Sequence, residues 1–112
     1  MALTKIPANL LDKSSNVDFA NNEKLRLGTG NALQIYHDGT SSYIINTTND
    51  LVIQDDTRIR VRTPSLMVNN AANTENMLIA TEDGSVDLYY DNVKKFETTA
   101  SDASVAGNLT IS

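Results

Sequence analysis

The sequence predicts an all-β protein of short antiparallel strands and hairpins, and three observations carry that prediction. From Phe19 onwards apolar and polar residues alternate in short runs, the period-two signature of strands with one buried face. Between the runs stand Asp-Gly, Asn-Asp and Asp-Asn pairs, which tolerate the positive φ of tight reversals, at intervals of about 8–12 residues. Finally, one hairpin-like pattern occurs twice. Leu33-Gln34-Ile35-Tyr36-His37-Asp38-Gly39 with Tyr43 aligns with Val86-Asp87-Leu88-Tyr89-Tyr90-Asp91-Asn92 with Phe96. Two copies fall short of the three or more that a free-standing solenoid needs, so the repeat reads as two similar hairpins.

Taken in order, residues 1–16 stand apart from this pattern. Ile6-Pro7 and Leu10-Leu11 are apolar without alternating, and Ser14-Ser15-Asn16 forms a polar hinge. So short a segment is marginal as an isolated helix and reads as a docking arm, with Ile6, Pro7, Leu10 and Leu11 as its anchors. Residues 17–112 form the oligomerising body. Its expected strands begin with Lys24–Leu27, Ala32–Tyr36, Ser42–Ile45, Leu51–Gln54 and Arg58–Arg62. After Pro64 follow Leu66–Val68, Met77–Ala80, Val86–Tyr90, Val93–Thr98 and a last run ending Leu109-Thr110-Ile111. Leu25, Leu27, Leu33, Ile35, Val86 and Leu88 are the apolar members of alternating runs and are expected to share the core or oligomer face.

Composition bounds the function. At 112 residues the chain has the length of one domain, and its 40% hydrophobic residues include few aromatics and no Trp. With only two or three apolar side chains per strand face, a thick core is out of reach for one chain, and a homo-oligomer is expected. A net charge of −5 lacks the basic footprint of a nucleic-acid binder. The absence of Cys excludes disulfides, thiolate metal sites and cysteine nucleophiles. Residues 1–11 contain no continuous apolar stretch, so neither a signal peptide nor membrane insertion is expected.

The chemistry-bearing residues read as structural. His37 is the single histidine and would need several carboxylate partners to hold a metal, so no metal or other cofactor is expected. Gly28-Thr29-Gly30 departs from a phosphate-binding glycine loop because Leu33 occupies the sixth position and no helix follows. Asp55-Asp56 and Glu82-Asp83 could be offered as a glycosidase pair, yet such chemistry needs a desolvated carboxyl and aromatic sugar platforms; solvated turn acids are expected, and no enzyme. Arg58, Arg60 and Arg62 alternate with Ile59 and Val61, placing three positive charges on one strand face. That face is either solvated, blocking edge pairing, or a salt-bridged seam with acidic turns of a neighbouring chain. Asn46-Thr47-Thr48 and Asn108-Leu109-Thr110 match glycosylation sequons, a pattern too short to weigh here.

Glu23-Lys24-Leu25-Arg26-Leu27-Gly28-Thr29-Gly30-Asn31, Leu33–Gly39 and Ser42-Tyr43-Ile44 together resemble a module of virion proteins of marine tailed bacteriophages, cyanophages especially. The resemblance continues through Val86–Asp91, Lys94-Lys95-Phe96-Glu97-Thr98-Thr99 and Ser104–Thr110, and the opening Leu3–Pro7 with Leu10-Leu11 is similar to the start of such proteins. It implies a non-enzymatic tail-fibre or appendage protein, trimeric, of β-fibre or β-prism-like build. It further implies assembly in the host cytoplasm and residence on the particle surface beside other virion proteins. In longer relatives the Gly-Asn-Leu-Thr segment leads into distal domains, whereas this chain stops at Ser112; an adaptor, collar, head-fibre or short-fibre role is therefore expected. The alternatives are a module binding host surface glycans through loops such as 40–42 or 69–73, and a capsid decoration protein.

Overall fold

The computed structural model describes residues 14–112, in which all regular structure is β and no helix occurs. The chain divides into two compact units, one ending at Gln54 and one beginning at Asp55, each built on a single antiparallel sheet.

The first unit is a three-stranded meander of β1 (Lys24–Leu27), β2 (Leu33–His37) and β3 (Ser42–Asn46), in that spatial order. Directly paired residues share a face in an antiparallel sheet. The register aligns Leu25, Ile35 and Ile44 in one transverse row and Leu27 with Leu33 in the next, so one face is apolar. The opposite face carries the row Lys24, Tyr36, Tyr43. The β2–β3 reversal closes through Asp38, whose Oδ1 accepts the N–H groups of Thr40 and Ser41 at 2.8 Å each. Gly39 follows with φ of 103°, a conformation closed to most side chains.

The second unit is a five-stranded meander, β4 (Ser65–Asn69), β5 (Asn76–Thr81), β6 (Val86–Tyr90), β7 (Val93–Thr98) and β8 (Ala103–Val105), with neighbours in sequence neighbours in space. Val68, Leu78, Leu88, Phe96 and Val105 form one transverse row across all five strands, and Leu66, Ala80 and Val86 lie in a parallel row on the same face. The reverse face carries the row Met67, Ile79, Asp87, Glu97 and Ser104, apolar towards β4 and polar towards β8. Asp91 and Asn92 make the two-residue β6–β7 turn with φ of 49° and 58°, the type I′ geometry that matches strand twist. Because Leu88 faces Phe96 while Tyr89 faces Lys94, Lys95 is an extra residue, a β-bulge in β7.

Three expected runs take a different course. Leu51–Gln54, Arg58–Arg62 and Leu109–Ile111 are not strands, and the last strand is Ala103–Val105 instead. Alternation equips a segment to pair, but a strand exists only where a partner edge lies beside it. Among the described residues no backbone–backbone hydrogen bond reaches 51–62. The two hairpin copies also diverge. The first closes through the four residues Asp38–Ser41 and pairs Tyr36 with Tyr43, whereas the two-residue turn and bulge of the second pair Phe96 with Leu88. Phe96 consequently joins the apolar face, and its sequence counterpart Tyr43 the polar one.

Candidate assembly surfaces

In both units most of the apolar strand side chains stand on one sheet face that nothing described within the unit covers. Among the described residues no apolar side chain is buried; Leu25, Leu27, Ile35, Val86 and Leu88 are all exposed, and Ile44 is 61% exposed. The register gathers Leu25, Leu27, Leu33 and Ile35 on one face of the first sheet, and Val86 and Leu88 on one face of the second. Sequence reasoning missed several of their neighbours: Leu66, Val68, Leu78, Phe96 and Val105 extend the second face. Their signal was available in the alternation of each run, but only the register shows that these runs align.

The polar faces are tied together by side-chain chemistry. In the first unit Tyr36 and Tyr43 stack with ring centroids 4.9 Å apart. The Lys24 ammonium lies 4.3 Å from the Tyr36 ring centre, a cation–π arrangement. The Tyr43 hydroxyl donates to Asp38 Oδ2 at 3.0 Å. The Asp38 carboxyl is held below its ordinary pKa by the N–H groups of Ser41 and Thr40 and then by this hydroxyl, and the Tyr43 phenol is correspondingly raised. On the other face, at the end of β2, His37 places Nδ1 3.0 Å from Ser42 Oγ.

In the second unit the one buried residue is charged: Asp87, 7% exposed. Lys94, turned to this face by the bulge, bridges Asp87 Oδ2 at 2.9 Å and Glu97 Oε2 at 2.7 Å. The Ser85 hydroxyl beside the carboxylate and then Lys94 keep the Asp87 pKa low, although Oδ1 makes no hydrogen bond of ordinary geometry. The hydrogen bond to Glu97, followed by that to Asp87, raises the Lys94 ammonium above its usual range.

The remaining sequence candidates scatter. Asp55 Oδ2 accepts the backbone N–H groups of Arg58 and Thr57, which hold its carboxyl below the ordinary value. Asn70 Oδ1 closes its own loop by accepting from Thr74 and Glu75. Arg58, Arg60 and Arg62 lie on the exposed tract leading to β4, where Val61–Pro64 and Glu82 line a shallow groove. No group of three or more His, Asp or Glu side chains converges among the described residues. The arm anchors Ile6, Pro7, Leu10 and Leu11 lie outside the described residues.

No family model, curated protein or solved structure matches the chain. The two sheets each carry one open face with an apolar row and a reverse face where charged, tyrosine and amide side chains bond to one another beside Ile45 in the first sheet and Met67 and Ile79 in the second.

Proposed function

We propose that this chain is a non-enzymatic structural protein of a tailed-phage virion, a homo-oligomeric appendage of tail-fibre, head-fibre or adaptor kind. One observation carries the assembly half of the reading: both sheets present an apolar face that the described residues of their own unit leave open. Contiguous exposed apolar patches of this sort mark surfaces that are covered by a partner. A single antiparallel layer without a second layer is half of an ordinary β domain, which buries one face of each sheet against something else. Copies of the same chain supply that layer in a homo-oligomer, and a trimer closes it around an axis. The virion half rests on the resemblance of Glu23–Ile44 and Val86–Thr110 to phage appendage proteins.

A structural role agrees with the chemistry of Asp55. Its carboxyl is already bonded to two backbone N–H groups and its pKa is lowered, the reverse of what a general acid requires. In this reading the arm, residues 1–16, meets other virion proteins, and the body assembles on the particle surface. Native mass spectrometry of the full chain at micromolar concentration tests the assembly, with a discrete oligomer expected; a folded monomer overturns it. Labelling of intact particles tests the location.

A further inference from the structure

The five residues Arg58–Arg62 have the composition of a strand and no strand partner. Ile59 and Val61 are 52% and 64% exposed, and in an extended strand the three arginines would project to the side opposite them. The tract also concentrates charge. It holds three of the second unit's five basic residues, whereas from Pro64 to Ser112 seven carboxylates stand against two lysines.

Its position limits where it can pair. The tract leads into β4 at one edge of the five-stranded sheet, and the chain is fastened there by Glu82 N–H donating to Pro64 O at 2.8 Å. β8 forms the opposite edge, about 19 Å away at roughly 4.8 Å per strand. Between Arg62 and Ser65 stand only Thr63 and Pro64, and three residue steps reach about 10 Å at most. A chain's own tract therefore cannot reach its own β8.

We propose that Arg58–Arg62 of one copy adds to the free edge of β8 in a second copy of this chain, as an antiparallel sixth strand. The inference rests on the homo-oligomeric reading above and names the contact that makes it. With Arg60 opposite Ser104, Val61 faces Ala103, Ile59 faces Val105 and Arg62 faces Asp102. In that register Ile59 and Val61 lengthen the apolar face that already ends at Val105. Arg60 extends the row Asp87, Glu97, Ser104 and Arg62 stands opposite Asp102, so the cationic side of the tract meets a side whose carboxylates Lys94 balances only in part. Pairing of two such tracts with each other is opposed by three like charges on each. β1 is a poor host for the same reason, because it carries Lys24 and Arg26. Joining one edge to the opposite edge of the next copy is a heterologous contact, which closes into a ring when the rotation permits.

The absence of Cys makes the contact directly testable in the full chain. The double variants R60C/S104C and V61C/A103C, oxidised at native concentration, are expected to run as covalently linked multimers, with each single variant remaining uncrosslinked. Hydrogen exchange of the wild-type oligomer is expected to show the amides of Ile59–Arg62 slowed by roughly tenfold or more relative to an unpaired segment. If the wild type is oligomeric but neither double variant crosslinks and these amides exchange freely, the strand contact is overturned and the oligomer stands. Dimers from R60C alone indicate pairing of tract with tract and also overturn it. A monomeric wild type removes both readings together.

Discussion

Asp38 shows how a single side chain fixes a turn: one oxygen gathers the N–H groups of Thr40 and Ser41, and the other takes the Tyr43 hydroxyl. The backbone beside it must then turn through Gly39 at φ of 103°. A Cβ there would lie 3.2 Å from Asn21 Nδ2. Gly39→Ala is expected to destabilise the first sheet by about 1–2 kcal/mol, measured by urea unfolding. Asp87 sets a pH dependence. Its native pKa lies below the ordinary 3.8, so its contribution is fully present above that value and is lost as the pH falls through the native pKa. Asp87→Asn should flatten the loss of stability on acidification below about pH 4 and leave a lower plateau at pH 7, read from thermal melts across that range. Lys94 has the opposite sign: its raised pKa keeps its contribution intact until strongly alkaline pH.

At the scale of the element, the strands that were legible in the sequence were those whose neighbours are also near in sequence. β1 to β3 and β4 to β7 follow one another through short turns, so alternation and turn chemistry specify both partners of each pair. Leu51–Gln54 and Arg58–Arg62 have strand-like residues but pair with no described strand, and composition reports a capacity to pair without naming the partner. β8 escaped notice because Ala103-Ser104-Val105 is only three residues long and weakly apolar, while Leu109-Thr110-Ile111 looked stronger. The lysine–tyrosine row and the Asp87–Lys94 bridge were hidden because both depend on register, and the bridge on a bulge that no composition signals. Ile35 lies at the middle of the first apolar face, between Leu25 and Ile44. Ile35→Asp is expected to abolish oligomerisation, seen as loss of the multimer in size-exclusion chromatography with light scattering, because a carboxylate covered by a partner surface without a counter-ion costs several kcal/mol.

For the whole molecule, the proposed separation of a docking arm from an assembling body makes a further prediction. Deleting residues 1–15 is expected to preserve the oligomeric state and the β-type circular dichroism while removing the protein from particles assembled in its presence. Retained incorporation, or unfolding of the truncated chain, would show that the arm is dispensable or part of the body. On that proposal several arms presented together would hold although each single contact is modest, since each later contact is effectively intramolecular.

The open face running from Val68 to Val105 also has a genetic consequence. In a protein with a closed interior, a core defect harms the chain that carries it. In the homo-oligomer proposed above, a charged substitution at Leu88 would be felt by the copy that covers that face, so a defective allele would poison assemblies that also contain sound copies. When both are expressed in equal amounts and mix at random, the fraction of untainted assemblies falls as one half raised to the number of subunits, about one in eight for a three-membered ring. The dominance of such an allele, titrated by gene dosage, would count the copies in the assembly.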